Sequence, residues 1–320
     1  MQYTGRVLIG FWFDKLQIES EKLEAWRREW AAGNLPLQRR RRLAHDFKRD
    51  IAVKNPPSTT DFSVIRYGQP LQLQCPEIPD ESKRYELYRG CPWDELPEVP
   101  RQLGLLLSAT CSRADYLLGV ERMEDGCPVG CSPIRKHLAR NIFAFERADE
   151  GSHRRGGGKV GRSCFTKVPE EDPGVLRYGQ PFYIGLIGAK DRLYLRSEPP
   201  LVDGQFAPNY HNPVRLNLSR DGYALWRALH WDQHQRFETE GDPIVPCARI
   251  IIQHVMTGKN LAVENLNWHH SLFGFECGVS VHTYNDAAHR ETSECIWNIL
   301  AKVNDEDNKN KKIDLKKCGE

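Results

Sequence analysis

Three short stretches of the sequence combine residue types that could do chemistry. The stretch "GGGKVGRS" is rich in glycine, but it lacks the lysine followed by serine or threonine that a phosphate-binding loop requires. Cys127 and Cys131, with His137 after them, lack the two-residue cysteine gap and the fourth ligand of a zinc site. His230 and His234 in "HWDQH" lack the glutamate of a metalloprotease helix. We expect a flexible loop, free cysteines and structural histidines, with no metal or cofactor.

The remaining polar residues give no catalytic pattern either. His254, His269, His270 and His282 accompany no nucleophile on a recognisable sharp turn. The ten cysteines are scattered without paired spacing, as reduced thiols are. We therefore expect the protein not to be an enzyme.

Composition also narrows the class of partner. The net charge is only +2, so nothing in the whole-protein charge favours nucleic acid or a membrane. The first apolar run, residues 7–13, is too short to span a bilayer and has no cleavage site after it. We expect a soluble, non-secreted protein without nucleic-acid or membrane partners.

The pentamer Arg-Tyr-Gly-Gln-Pro occurs twice, which indicates a repeated structural unit. Its glycine permits an unusual backbone at the entry to a lobe, and its proline fixes φ where no ladder donor is needed. The predicted structural-repeat residues are Arg66, Tyr67, Gly68, Gln69, Pro70, Arg177, Tyr178, Gly179, Gln180 and Pro181.

Apolar and polar residues alternate after each pentamer, as in a half-buried strand. The same alternation recurs in a third segment that lacks the pentamer. It predicts three hairpin units, near residues 66–88, 177–196 and 245–263. A further β segment follows each unit: "NIFAF", "YALWRAL" and "GVSVHTY". Three such units around a pseudo-threefold axis would close a common core and remove exposed sheet edges. The predicted fold is mainly β, with a β-trefoil-like core of three hairpin repeats, N-terminal helices and long inter-lobe loops.

The chain divides into three predicted regions. Residues 1–58 form an N-terminal strand and helical arm, and residues 59–303 form the β-trefoil-like domain, with loop insertions near 91–137 and 150–165. Residues 304–320 are charged and poor in large apolar side chains, which is typical of a flexible tail.

The arm itself begins with a short strand-like segment and continues into two predicted helices. Ser20 is the expected N-cap of the first helix and Gly33 its stop. Leu43, Phe47 and Ile51 recur at four-residue spacing and predict the second.

Tryptophans and arginines of the arm are the candidate partner-binding residues. Trp12, Trp26 and Trp30 either cap the bottom of the β core or anchor the arm on another protein. The arginine run is either a solvated helical face or a contact for an acidic partner, since the guanidinium pairs with carboxylates in bidentate fashion. Nucleic acid is a weaker reading, because no recognition-helix pattern accompanies the run. The run consists of Arg39, Arg40, Arg41 and Arg42.

Several longer stretches resemble one known family. They are "RVLIGFWFD", "LPLQRRRRL", "IRYGQPLQL", "VLRYGQPFYIGL", "FETEGDPIVPCARIIIQHVMTGKNLAVEN" and "VSVHTYNDAAH", in the same order from Gly5 to Trp297. The sequence resembles the cilia- and flagella-associated protein 161 family of microtubule inner proteins. Its hairpins, with the turn in "QHVMTGKNL", also resemble the β-trefoil repeats of MIR-type domains, so the expected core is MIR-like.

The resemblance implies a location and partners. It implies a structural protein in the lumen of the A-tubule of axonemal doublets in cilia or flagella, near the seam. There it would contact α/β-tubulin protofilaments and other microtubule inner proteins and stabilise the lattice for motility. The loops at 91–137 and 150–165 differ most from the family, so contacts are carried over least safely there.

Two other classes of function remain as alternatives. A β-trefoil carbohydrate- or ligand-binding module is disfavoured, because the chain has none of the Gln-x-Trp repeats of lectins with that fold. An enzyme is disfavoured by the absence of a convergent acid, base, nucleophile or metal set.

Overall fold

The computed structural model describes residues 11–53, 59–60, 64–87, 102–111, 123–148, 172–189, 191–198 and 211–303. The predicted insertion near 150–165 and the predicted tail at 304–320 lie outside the described residues. None of the described helices is both long and apolar enough to cross a membrane.

The chain separates into two compact units. One comprises residues 1–49 with 114–121, and the other comprises residues 50–113 with 122–320. The division into an arm, a β domain and a tail at the predicted boundaries stays a prediction.

Two helices form the described part of the first unit: α1 (Phe11–Ala31) and α2 (Pro36–Ile51), whose last residues belong to the second unit. Phe11, Trp12 and Phe13 are helical, so the predicted strand-like start is wrong where the structure describes it. The predicted N-cap Ser20 is wrong too, because its hydroxyl donates to Gln17 O at 2.8 Å inside α1. Phe11, Trp12 and Phe13 continue the helical spacing of apolar residues, so α1 begins earlier than the capping pattern indicated.

Gly33 ends α1 as predicted, with a left-handed φ of 69°. The Arg42 guanidinium donates to Gly33 O and so ties the start of α2 to the end of α1. On α2 the predicted apolar face is confirmed, since Phe47 and Ile51 are buried and Leu43 is half-buried.

The described part of the second unit is mainly β, as predicted, and it includes a short α-helix, α3 (Ser82–Leu87). Its described strands are β1 (Thr59–Thr60), β2 (Gln72–Pro79), β3 (Leu103–Ala109), β4 (Cys127–Ser132), β5 (Phe143–Arg147), β6 (Pro181–Leu186), β7 (Leu193–Arg196), β8 (Asn212–Pro213), β9 (Arg215–Asn217), β10 (Trp226–His230), β11 (Arg249–His254), β12 (Leu261–Ser271), β13 (Gly274–Val281), β14 (Ile296–Leu300) and β15 (Lys302–Val303).

Nine of these strands close into a barrel. Their order is β4-β3-β2-β14-β11-β10-β6-β7-β9, and β9 pairs back onto β4 through Cys127 and Leu216. All neighbours on this path are antiparallel. Closure pairs both edges of the sheet and so removes exposed ladder groups from it. The remaining strands are additions: β5 pairs with β6, β13 joins β12 to β4, β8 pairs with β13, and β1 pairs with β15.

Three hairpin entrances meet in a ring of backbone hydrogen bonds. Ile65 N–H donates to Ile244 O, Leu176 N–H to Ile65 O, and Ile244 N–H to Leu176 O, at 2.8 to 3.0 Å. All three residues are fully buried. The ring therefore joins the segments that precede β2, β6 and β11 at one point inside the unit.

Each hairpin entrance also repeats one backbone geometry. Gly68 and Gly179 both have φ of 79°, and their N–H groups donate to Phe145 O and Ala228 O. In the hairpin without the pentamer, Cys247 takes this place, with φ of 62° and its N–H bonded to Ile299 O. The sequence expectation that this glycine serves an unusual backbone therefore holds at both pentamers.

The segment predicted as a loop insertion near 91–137 contains two barrel strands, β3 and β4, and that part of the prediction is wrong. The first hairpin predicted near 66–88 is wrong too, because residues 82–87 form α3 and β2 pairs with β3. Leu105, Leu106 and Leu107 are all buried, so β3 does not show the alternating period used to find half-buried strands. The predicted β segment at Gly278 is the end of β13, which pairs with β12. In the third hairpin repeat, β14 occupies the position that β5 holds in the first repeat and β10 holds in the second.

Candidate interaction surface

Five large apolar side chains lie along one side of α1: Trp12, Leu16, Leu23, Trp26 and Trp30. At about 100° per residue they fall within an arc of about 80°, and from first to last they span about 27 Å. Each is roughly half exposed, and none of the residues of α1 is buried. An apolar stripe of this length on a single helix is typical of an interaction face. We call these five residues the α1 stripe.

The tryptophans of the stripe pack against neighbours on the same helix. The rings of Trp26 and Trp30 are stacked, with centroids 6.5 Å apart and an interplanar angle of 16°. Trp12 meets Phe13 edge to face at 6.1 Å. Trp12, Trp26 and Trp30 stay about half exposed despite these contacts, and tryptophan side chains are frequent anchors in protein interfaces.

The arginine run lies on α2, and its members are not equivalent. Arg42 is used internally through its bond to Gly33 O. Arg39, Arg40 and Arg41 are exposed, and no hydrogen bond or ion pair joins their side chains to the described residues. These three cations are therefore available to carboxylates of a partner, whereas the fourth supports the turn between the helices.

The two copies of the pentamer make structural contacts. Arg66 forms an ion pair with Asp172 at 3.0 Å, and the Arg177 guanidinium donates to Gly241 O at 3.0 Å. Tyr67 donates its hydroxyl to Gln180 Oε1 at 3.4 Å, so the two copies touch each other. Burial raises the pKa of Tyr67 to about 12, although Arg147 opposes the shift.

The cysteine candidates for a metal site are not brought together. Cys127 and Cys131 are four residues apart on β4, which corresponds to about 13 Å along an extended strand. His137 instead places Nδ1 2.9 Å from Gln72 Oε1. Across the described part of the chain, no group of three or more His, Cys, Asp or Glu side chains could hold a metal ion.

Histidine candidates are likewise held by backbone and side-chain bonds. His230 ends β10, and its Nδ1 accepts the Asp232 N–H at 3.2 Å, so His230 and His234 share no helical face. The ring of His254 is fully buried between Thr257 Oγ1 and Tyr223 O, at 3.0 and 2.9 Å. Burial lowers the pKa of His254, which keeps its imidazole neutral.

The buried cysteines have the electrostatics of inert thiols. Burial raises the pKa of Cys75, Cys131 and Cys277 well above the ordinary value and that of Cys295 to about 12. Because the thiolate is the nucleophile, these groups are poorly suited to covalent catalysis at neutral pH.

Two polar networks in the β unit were not found from the sequence. In the first, Glu264 Oε1 accepts from Ser280 and lies 2.7 Å from His211 Nδ1, while Oε2 accepts from Tyr284 at 2.6 Å. His282 stacks on His211 with centroids 3.9 Å apart. Both carboxylate oxygens take part in hydrogen bonds, so the network ties His211, the residue before β8, to β12 and β13.

The second network is a fully buried ion pair. Arg140 Nη2 lies 2.6 Å from Glu276 Oε1, and the other carboxylate oxygen accepts from Thr110 at 2.6 Å. The guanidinium also donates to Ser132 and sits 3.9 Å above the Phe273 ring. No local spacing could reveal this pair, because its two members are 136 positions apart in the sequence.

Comparison with known proteins identifies the family. The model of the cilia- and flagella-associated protein 161-like domain matches residues 102–302, which is more than half of the chain. The chain belongs to this family. Cilia- and flagella-associated protein 161 of Bos taurus is 25% identical over 93% of this chain and 82% of its own, and that of Mus musculus is 25% identical over 98% and 93%. The resemblance stated from the sequence is confirmed, and membership makes this a cilia- and flagella-associated protein.

Two solved structures match the chain at low similarity. The SDF2-like protein from Arabidopsis thaliana matches with a TM-score of 0.40 and 12% identity, over 74% of this chain and 94% of its own. A protein with unknown function from Caenorhabditis elegans matches with a TM-score of 0.41 and 12% identity, over 77% and 99%. Similarity at this level carries no functional argument.

Proposed function

We propose that this chain is a non-enzymatic microtubule inner protein of the axonemal doublet. It binds the luminal face of the A-tubule near the seam and stabilises the lattice for ciliary and flagellar motility. Its partners are α/β-tubulin protofilaments and neighbouring inner proteins, and it needs no cofactor, nucleic acid or membrane. Family membership supports the ciliary location, and the α1 stripe is the observation that carries the binding role.

The geometry of the stripe suits a structural contact. An exposed apolar face of about 27 Å buries substantial area against a flat partner without a deep pocket. Arg39, Arg40 and Arg41 beyond it in the sequence add cations that pair with carboxylates. A protein fixed in a polymer gains from several such modest contacts, because each bound contact raises the effective concentration for the next.

We also propose that the β unit is a β-trefoil. The ring formed by Ile65, Leu176 and Ile244 supports a pseudo-threefold axis at the hairpin entrances. The repeated left-handed residue before each hairpin supports the same symmetry. Three short 3-10 helices, each directly before β5, β10 or β14, supply a third repeated element: Ala139–Asn141, Gly222–Ala224 and Ser293–Cys295.

The binding role is tested on the stripe with the double variant Trp26→Ser, Trp30→Ser. Loss of these two stacked aromatic anchors should weaken binding of the full chain to purified doublets by at least about tenfold. Leu218→Ser is the matched control, because Leu218 is as exposed as Trp26, at 51%, and lies in the other unit. Affinity is measured by co-sedimentation with doublets opened by mild sonication.

A second variant separates the arginines by role. Arg39→Ala, Arg40→Ala, Arg41→Ala should weaken co-sedimentation and make it less dependent on salt, because exposed charge pairs are screened. Arg42 is left in place, since its bond to Gly33 would confound a four-residue variant. Unchanged binding in both the tryptophan and the arginine variant would refute the role assigned to the arm.

A further inference from the structure

A second exposed surface lies in the β unit, on the loop that joins β10 to β11. Phe237 in this loop is 90% exposed. Among the large apolar side chains of the described residues, only Leu266 is more exposed, at 93%. Burial of a phenylalanine side chain contributes about 1.5 to 3 kcal/mol to stability, and a side chain this exposed lacks most of that contribution.

The loop around Phe237 is held by many hydrogen bonds. Arg236 Nε donates to His230 O at 2.9 Å, and Arg236 Nη2 lies 2.7 Å from Glu291. Gln233 donates to the other oxygen of Glu291 at 2.6 Å. These bonds tie the residues before Phe237 to the segment that precedes β14.

The residues after Phe237 are held as well. Thr239 donates both its N–H and its hydroxyl to Gln235 O, at 3.0 and 2.8 Å. Tyr178 N–H then donates to Asp242 O at 3.0 Å, and Gly241 N–H donates back to Tyr178 O. Phe237 is thus presented by an ordered loop, so little conformational freedom is lost when it docks.

The charged residues that follow Phe237 in the loop are acidic. Glu238, Glu240 and Asp242 are exposed, and no ion pair joins their carboxylates to the described residues. The one cation of this stretch, Arg236, is neutralised by Glu291. Charge complementarity therefore favours a partner surface that carries lysine and arginine.

A cavity of about 410 Å³ adjoins the phenyl ring. Tyr178, Leu229, Arg227 and Glu240 are among the residues that line it. Arg227 Nε donates to Gln253 Oε1 at 2.7 Å, and both of these residues line the cavity. A side chain of the partner can therefore enter beside Phe237 while the phenyl ring enters the partner.

We infer that this loop is a docking surface for a neighbouring protein with an apolar recess rimmed by lysine and arginine. Phe237 fills the recess, and Glu238, Glu240 and Asp242 pair with its rim. The inference rests on the proposed function, in which this chain lies in a lattice among other inner proteins. It gives the chain two contacts of opposite charge, a basic one on α2 and an acidic one on this loop.

The test places a photo-crosslinker at Phe237 of the full chain, expressed in ciliated cells without their own copy. Axonemes are irradiated, and cross-linked peptides are identified by mass spectrometry. The expected result is a cross-link at position 237 to a lysine- or arginine-rich peptide of another protein. The matched control carries the crosslinker at Leu266, which is as exposed but has no acidic surround of this kind, and should not link to that peptide.

A binding variant completes the test. Phe237→Ala should weaken retention of the chain in axonemes by about tenfold, and Leu266→Ala should not. A cross-link from position 237 to an acidic peptide or to a second copy of this chain would overturn the inference, as would no cross-link in axonemes that retain the chain. Absence of the chain from axonemes would instead refute the proposed function.

Discussion

At the scale of residues, the buried pair of Arg140 and Glu276 is the interaction most sensitive to change. Both side chains are at most 1% exposed, so neither charge can be solvated if its partner is removed. Burial by itself would raise the pKa of Glu276, but the adjacent guanidinium and the Thr110 hydroxyl outweigh it and lower the pKa. The folded state therefore favours the carboxylate form.

Glu276→Gln should lower the free energy of unfolding by about 3–5 kcal/mol, because it leaves the Arg140 charge buried without a counter-ion. Glu77→Gln is the matched control, because the ion pair of Glu77 with Arg249, at 3.1 Å, is far more exposed. This variant should lower the free energy of unfolding by no more than about 1 kcal/mol. Both are measured by chemical denaturation. Equal losses in the two variants would contradict the assignment.

The same variant has a defined pH dependence. The pKa of Glu276 is lower in the folded state than the ordinary carboxyl value of 4.5. The contribution of its carboxylate to the free energy of unfolding is therefore complete above pH 4.5 and is lost as the pH falls through the folded-state pKa. The difference between the wild-type chain and Glu276→Gln should therefore shrink as the pH falls below about 4.5. A constant difference would show that the pair does not titrate as described.

At the scale of elements, the three hairpin entrances share a left-handed residue, and only two of them use glycine. An added Cβ at Gly68 would meet no atom within 4 Å, so Gly68→Ala causes no steric clash. Its destabilising effect therefore comes only from the left-handed backbone conformation at this position. Cys247 already carries this strain at φ of 62°, with an exposed side chain that contributes little packing.

Gly68→Ala should lower the free energy of unfolding by about 1–2 kcal/mol. Cys247→Gly should raise it by a few tenths to about 1 kcal/mol, because relief of strain exceeds the added chain entropy of glycine. Gly174→Ala, where φ is not left-handed and the nearest atom lies 3.4 Å from the added Cβ, is the control and should have little effect. A destabilised Cys247→Gly variant would refute the common geometry.

Elements with a clear period could be predicted from the sequence. The apolar face of α2 followed from the spacing of Leu43, Phe47 and Ile51, and two of the hairpin entrances followed from the repeated pentamer. The start of α1 was missed because an apolar run without a polar cap fits a strand as well as a helix. Strands β3 and β4 were missed because burial on both faces removes the alternating period.

At the scale of the whole molecule, one of the proposed binding surfaces depends on contacts between distant residues. The sequence could point to the tryptophans and arginines, since each set is local. It could not point to Phe237, whose exposure depends on Glu291 and Tyr178 holding the loop from positions far away in the chain. The net charge of +2 likewise conceals a basic helix and an acidic loop, one in each unit.

The central claim is that the chain is enclosed in the doublet lumen, and fractionation of cilia tests it most directly. Purified cilia are extracted with detergent, and the axonemes are washed in high salt, with the full chain followed by mass spectrometry. At 1 M salt the screening length falls to about 3 Å, which weakens exposed charge contacts but does not readily release an enclosed protein. We predict retention in the salt-washed doublets. Release with the membrane and matrix fraction would contradict the luminal location.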